Sequence, residues 1–344
     1  MKRKILQVIS STEFGGGTKH VQEVYRHCHT DVDFYLAAPT NILALNEEKF
    51  IKIEKSRVNL VDIFRLALFI RKSNLTMLHA HGRGAALICR ILKVVMWNIN
   101  IVYTLHGVHV SFKRNYLKLL YLFYEQFWAK LDLARIFVSE SERDSYENFW
   151  SPSRKHFVVY NSIDDDTYIN KNFLKYDVGV LTRLHPQKNL KEFLNIAKCC
   201  PSVNFVIAGD GPELGELKNH AVVRDINNVK FMGFTDDQET FFNSIRLYLS
   251  TSNWEGLPYS VLESISYNVP VILKDVVGHR DFVVEQKGAS LYRDPTHASQ
   301  LIKNLLSDHF FYNQKVQELE LLKEKFSREQ FKERLSSIYF KTIR

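Results

Sequence analysis

Glu255 and Glu263 stand eight positions apart in the run Glu255-Gly256-Leu257-Pro258-Tyr259-Ser260-Val261-Leu262-Glu263, between an apolar stretch that ends at Ser250 and a second over Val269 to Leu273. The stretches read as buried strands and Pro258 as the start of a helix, which makes the run a βαβ unit. A helix N-terminus carries orphan amides and the positive end of the dipole. Glu255 would sit at the mouth of that anion-binding turn. Glu263 lies two turns along the helix, about a ribose plus a phosphate away at roughly 1.5 Å per residue. Such a pair suits a sugar nucleotide. Upstream, Thr182-Arg183-Leu184-His185-Pro186-Gln187-Lys188-Asn189 follows another apolar run and precedes a helix. There Arg183 offers a planar fork and Lys188 a point charge to a diphosphate.

These residues need a scaffold that brings strand ends together. The first half alternates strand runs (Ile5 to Ile9, Phe34 to Ala38, Thr76 to Ala80, Ile101 to Leu105, Arg135 to Val138) with helical ones (Thr18 to Cys28, Leu60 to Arg71, Ala85 to Trp97, Tyr116 to Leu131). From Asp177 a second alternation supplies strands at Val178 to Leu181, Phe205 to Ala208, Val229 to Met232, Leu247 to Ser250 and Val269 to Leu273. This pattern predicts two doubly wound parallel sheets, whose ligands lie at the carboxyl ends of strands. In the first half those ends carry Gly15-Gly16-Gly17, His79-Ala80-His81-Gly82 and Thr104-Leu105-His106-Gly107. The glycines could let backbone amides approach a phosphate or sugar, or simply form a turn.

A chain of 344 residues with 45% hydrophobic and 24% charged residues is a soluble, globular composition of two domains. The basic start Met1-Lys2-Arg3-Lys4 is followed by too few apolar residues for a signal peptide. No window reaches the roughly 20 apolar residues of a membrane span, and the expected location is the cytoplasm. Cys28, Cys89, Cys199 and Cys200 form no metal-binding spacing and read as reduced thiols. The net charge of +8 calls for an anionic partner. The stretch 109–134 interleaves Lys113, Arg114, Lys118 and Lys130 with aromatics including Phe112, Tyr116, Tyr121, Phe123, Tyr124, Phe127 and Trp128. It is either a core helix with basic residues facing water or a face for an anionic membrane.

The Glu255 to Glu263 run resembles the Glu-x7-Glu motif of the group 1 glycosyl transferases (glycosyltransferase family 4), retaining enzymes of the GT-B fold. Arg183 to Asn189 is similar to that family's Gly-Arg-Leu…Lys-Asn element, with Thr182 in the Gly position. Ala208-Gly209-Asp210-Gly211-Pro212 and Met232-Gly233-Phe234 resemble its nucleotide-lining turns, and the four elements occur in family order. Tyr160-Asn161-Ser162-Ile163-Asp164 resembles a turn near the domain junction, with Ser162 where Gly is usual. Asn268 replaces a Gly after the Glu-x7-Glu helix, and Asn tolerates the left-handed backbone of a helix end.

The resemblance implies two Rossmann-like domains, 1–165 for the acceptor and 166–328 for the nucleotide sugar, facing a cleft, with a helix over 329–344 packing back on the first. It implies transfer of a sugar, UDP-linked in the first instance, to a glycan or lipid-linked glycan with retention, as in bacterial surface polysaccharide synthesis. Donor-binding residues would be Gly16, Gly17, Arg183, Lys188, Gly211, Phe234, Glu255, Gly256, Leu257, Val261 and Glu263, with Glu263 on the ribose and Glu255 on the donor sugar. His106 matches the family's active-site histidine and, with Glu255, is the catalytic candidate; His79 and His81 are acceptor-side candidates. No metal or other cofactor is expected, because Arg183, Lys188 and the helix dipole can take the pyrophosphate charge. Asp31-Val32-Asp33 leads into a strand and Asp164-Asp165-Asp166 lies in the linker. A nucleotide-sugar epimerase of the same fold and a polyanion-binding protein are the competing readings, and no nucleic-acid motif supports the latter.

Overall fold

A computed structural model describes the chain except for residues 1, 12–14, 55–58, 108–114, 149–151, 164–166, 171–172 and 342–344, and except for the side chains of 115–118, 121, 122 and 341. Lys113, Arg114, Phe112 and Asp164 to Asp166 therefore lie outside the described residues, as do the side chains of Tyr116, Lys118 and Tyr121. The chain divides into two compact units, 1–161 with 328–344, and 162–327.

The first unit runs β1 (Arg3–Ile9), α1 (Gly16–Cys28), β2 (Val32–Ala38), β3 (Phe50–Lys52), α2 (Leu60–Lys72), β4 (Met77–His81), α3 (Gly82–Val95), β5 (Asn100–Thr104), α4 (Asn115–Ala129), β6 (Ala134–Phe137), α5 (Glu140–Glu147) and β7 (His156–Val158). Its strands pair in parallel in the order β3-β2-β1-β4-β5-β6-β7 among the described residues. The central strands are buried on both faces, which explains their near-continuous apolar sequence. β3 and β7, at the two edges, are three residues each, too short to show a period in the sequence.

The second unit runs β8 (Tyr176–Leu181), α6 (Leu190–Lys198), β9 (Phe205–Ala208), α7 (Leu214–Val223), β10 (Val229–Gly233), α8 (Gln238–Asn243), β11 (Ile245–Ser250), α9 (Tyr259–Ser266), β12 (Val271–Lys274), β13 (Val283–Val284), β14 (Lys287–Gly288), β15 (Ser290–Tyr292), α10 (Pro295–Ser307) and α11 (His309–Lys325). Its main sheet is parallel in the order β10-β9-β8-β11-β12-β15. β15 is a strand that the sequence reading missed. Helix starts are specified locally: Asp294 and Asp308 accept the amides of His297 and Phe311, closing the first turns of α10 and α11. Asn268 ends α9 at φ 55°, the left-handed conformation foreseen for it.

The last helix, α12 (Arg328–Lys341), belongs to the first unit. Phe331, Leu335, Ile338 and Tyr339 complete a core formed with Ile5, Val24, Phe34, Met77 and Val102. Both strand orders reverse direction once, between β1 and β4 in the first unit and between β8 and β11 in the second. At such switch points the loops beyond the strand ends diverge and leave room for a ligand. No helix among the described residues is long and apolar enough to cross a membrane.

Candidate active site

In the second unit the switch point lies beyond Leu181 and Ser250, the ends of β8 and β11. The loop after β8 makes a short 3-10 turn over Pro186–Lys188, and Asn189 adopts φ 50° before α6. This loop is stapled to the loop after β11. Thr251 Oγ1 donates to Lys188 O at 2.9 Å, Asn253 N to Gln187 O at 2.9 Å, and Gln187 Nε2 to Trp254 O at 2.9 Å. Lys188 Nζ consequently reaches Glu255 Oε1 at 2.5 Å. Gln187 Nε2 lies 3.4 Å from Glu255 Oε2. Burial acts most strongly on Glu255 and would push its carboxyl up. Lys188, His279 and Ser252 together outweigh it and hold the group below its ordinary value.

Behind the pair, His279 is fully buried, and burial pushes it down to about 4. Its Nδ1 donates to Lys274 O at 2.8 Å, which leaves Nε2 as the acceptor 3.2 Å from Ser250 Oγ. Gly278 has φ 84°, and a Cβ there would lie 2.6 Å from the carbonyl oxygens of both Glu255 and Gly256. Only glycine lets this backbone pass under the glutamate loop. Leu257 and Val261 are buried and anchor the loop and α9, and Glu263 is buried on the same helix. Thr182, Lys188, Tyr248, Ser250, Thr251 and Ser252 line a small cavity beside the pair.

Three neighbouring strand-end loops are tied by their backbones. Thr182 N donates to Ala208 O at 3.0 Å, Leu184 N to Asp210 O at 2.9 Å, and Gly209 N to Gly233 O at 2.7 Å. A Cβ on Gly211 would meet Leu184 O at 2.5 Å, so this glycine serves close packing of two loops. Arg183 is exposed and its guanidinium has no ion-pair partner among the described residues. Phe234 is exposed at the end of β10. The second unit thus gathers Arg183, Lys188, Gly211, Phe234, Glu255, Gly256, Leu257, Val261 and Glu263 on loops at strand carboxyl ends and on α9.

In the first unit Gly16 and Gly17 are the opening residues of α1, beyond β1. A Cβ on Gly17 would come within 3.8 Å of His106 Cδ2. His81 closes β4, His106 lies two residues beyond β5, and His79 sits in the middle of β4. His79 is fully buried, with Nδ1 2.6 Å from Tyr339 Oη and Nε2 2.7 Å from Thr104 Oγ1. Both of its nitrogens are engaged in the core, so it positions its neighbours. His81 Nε2 donates to Gln7 Oε1 at 2.5 Å, and His106 Nε2 lies 3.4 Å from His81 Nδ1. His106 itself is half-buried. The sequence reading omitted His20, which lies on α1 and whose ring sits 4.9 Å from that of His106. Gln187 and His279 were also omitted, because no motif marks a residue that acts by holding another.

Helix α4 has an inward and an outward set of aromatic residues. Tyr124 and Trp128 face inward over the buried Arg90 guanidinium, at 5.2 and 5.8 Å from the ring centroids. Arg90 is held there by Glu125 at 3.0 Å and Asp132 at 3.1 Å. Leu119, Phe123 and Phe127, spaced four apart, are exposed, as are Leu60, Phe64 and Leu68 on α2 and Val94, Val95 and Trp97 at the end of α3. Asp33 lies at the amino end of β2 and pairs with Lys49.

The family profile "Glycosyl transferases group 1" matches residues 165–320, and "Glycosyltransferase Family 4" matches residues 14–167. An O-antigen biosynthesis glycosyltransferase of Escherichia coli, WbnH, is 24% identical over 279 residues, 79% of this chain and 81% of its own. The UDP-Gal:alpha-D-GlcNAc-diphosphoundecaprenol alpha-1,3-galactosyltransferase of Escherichia coli is 26% identical over 257 residues, covering 68% of this chain and 65% of its own. The crystal structure of Anabaena Alr3699/HepE in complex with UDP-glucose superposes with a TM-score of 0.82 at 16% identity, over 98% of this chain and 99% of that one. With two profiles that meet at the junction of the units and a GT-B fold shared over nearly its whole length, the chain belongs to the group 1 glycosyl transferases of glycosyltransferase family 4.

Proposed function

We propose that the chain moves a hexosyl residue from a UDP-sugar to a hydroxyl of a lipid-linked glycan, with retention at the anomeric carbon, in the assembly of a bacterial surface polysaccharide. The observation that carries the reading is the Lys188 to Glu255 pair, preformed at the switch point of the second unit beside an uncommitted Arg183. Both partners are needed by one ligand. The ammonium and guanidinium take the charge that grows on the leaving diphosphate, and the carboxylate holds hydroxyls of the sugar. Glu263 on α9 takes the ribose hydroxyls, the turn at Gly233 and Phe234 receives the base, and His106 stabilises the reacting sugar. Two cationic side chains supply what a metal would supply at the diphosphate, so transfer is proposed to need no added ion. The names of the Escherichia coli relative and of the Anabaena complex support uridine as the base.

The acceptor side is read from exposed apolar stripes. α2 packs on α3, and α3 is tied to α4 through Arg90 and Glu125, so the stripes lie on consecutive helices of one unit. Arg65, Arg71, Lys93 and Lys130 lie on or next to the same helices. Exposed aromatics with nearby cations favour the interface of an anionic bilayer, where a polyprenyl-linked acceptor resides. This also favours transfer over epimerisation, which needs no acceptor.

Calorimetry with UDP, GDP and ADP tests the donor half. UDP should bind at least tenfold more tightly than the other two, and Arg183→Ala and Glu263→Ala should each lower its affinity at least tenfold; unchanged affinities would remove the basis for the assignment. Co-sedimentation with phosphatidylglycerol vesicles tests the other half, and Phe123→Ser with Phe127→Ser should reduce the bound fraction.

A further inference from the structure

We propose that His20, His81 and His106 form a binding site for one first-row transition-metal dication of the zinc class in the first unit. One ring nitrogen from each of the three lies within 4.8 Å of the others. The hydrogen bonds fix which nitrogens carry protons. His20 Nδ1 donates to Asn161 Oδ1 at 2.9 Å, and His81 Nε2 donates to Gln7 Oε1 at 2.5 Å. Amide oxygens only accept, so His20 Nε2 and His81 Nδ1 both carry lone pairs, and that of His81 faces His106 Nε2 at 3.4 Å. A metal-bound imidazole needs this arrangement, with one nitrogen free and the other anchored to an oxygen.

Two further observations point to a ligand. His20 Nε2 is completely buried and has no hydrogen-bond partner among the described residues. Buried polar atoms are seldom left so. The separation of His81 Nδ1 and His106 Nε2, 3.4 Å, also equals one edge of a metal tetrahedron, about 3.3 Å for nitrogens about 2.0–2.1 Å from zinc. The His79 ring packs tilted against His81, with centroids 4.1 Å apart, and is itself held by Tyr339 and Thr104, which limits how His81 can turn. Three imidazoles and no thiolate or carboxylate select zinc, copper, nickel or cobalt over magnesium or calcium. Three ligands leave a fourth position for water.

The site is independent of the donor assignment, though it uses His106. An ion there withdraws His106 from other duties, so zinc is expected to inhibit transfer. The test uses the full chain freed of any polyhistidine tag. Zinc titration by calorimetry should give one equivalent per chain, and cobalt should give the visible absorption of a four-coordinate ion. His106→Ala and His20→Gln should abolish both, and Asn161→Ala should weaken zinc binding about 10 to 100-fold through loss of the anchor on His20. Absence of binding by the wild-type chain, or binding that survives both histidine changes, would overturn the proposal. Should His20→Gln fail to fold, X-ray absorption of the zinc-loaded wild-type chain decides, since fewer than three imidazole nitrogens around the ion rules the site out.

Discussion

Lys188→Met isolates the contact on which the proposed donor site rests. The change keeps the aliphatic stem and removes the ammonium 2.5 Å from Glu255 Oε1. Removing one partner of a fully buried pair costs about 3–5 kcal/mol, because the other charge is left uncompensated. Here the Lys188 side chain is 15% exposed and that of Glu255 9%, and Gln187 and Ser252 still face the carboxylate, so the cost falls below that range, to about 2–3 kcal/mol. For a unit of this size each kcal/mol shifts Tm by about 2–4 °C, which predicts a drop of roughly 4–12 °C at pH 7. Glu255→Gln removes the stranded charge, so adding it to Lys188→Met should recover much of the loss. The assay is differential scanning calorimetry on the wild-type chain, both single variants and the double variant. A coupling energy of about 2 kcal/mol is expected. A coupling under about 0.5 kcal/mol would show that the two side chains do not depend on each other, and the proposed donor site would lose its support.

His279 sets a pH dependence in the same unit. Its folded value, about 4, lies below the ordinary 6.5, so between those values only the unfolded chain takes up the proton. Stability should be full above pH 6.5 and fall by about 3 kcal/mol as pH drops to 4, at about 1.4 kcal/mol per unit. Titration of its ring by NMR should show it neutral at pH 5.5, and a ring protonated there would contradict its burial. Gly278→Ala should cost about 2–4 kcal/mol and displace the Glu255 loop, seen as a lower Tm and a loss of UDP affinity; normal UDP binding would show that the loop can move at no cost. Tyr339→Phe strips the hydroxyl shared by Gln7 and His79 and should cost the first unit about 1–3 kcal/mol in urea unfolding, whereas a change under a few tenths would exclude the network as a stabilising element.

Much of this architecture was legible from residue types alone, and the limits have physical causes. Long buried strands such as β1 and β5 announce themselves by apolar runs, and Asn268 by its tolerance of positive φ. Edge strands β3 and β15, three residues each, carry no such signal. Motif order pointed to Arg183, Lys188, Glu255 and Glu263 as candidates, but not to the meeting of Lys188 and Glu255, since that depends on hydrogen bonds between loops more than sixty residues apart. Likewise His79, read as an acceptor-side residue, is spent in a buried network whose partner Tyr339 lies 260 residues away. The aromatic excess of α4 was visible, and only the packing of Arg90 separates Tyr124 and Trp128 from the outward Phe123 and Phe127.

The return of α12 to the first unit has a consequence for synthesis on the ribosome. Asn161 and Tyr339 are 178 residues apart, so the opening unit waits about 10 to 35 s for its closing helix at roughly 5–20 residues per second. The half of the chain made later is complete as soon as Ser327 emerges. During that interval Ile5, Val24, Phe34 and Met77 lack the lid of Phe331, Leu335 and Ile338. The nascent polypeptide thus finishes its second half before its first, and for those seconds a chaperone that recognises apolar surface has a target near the amino terminus.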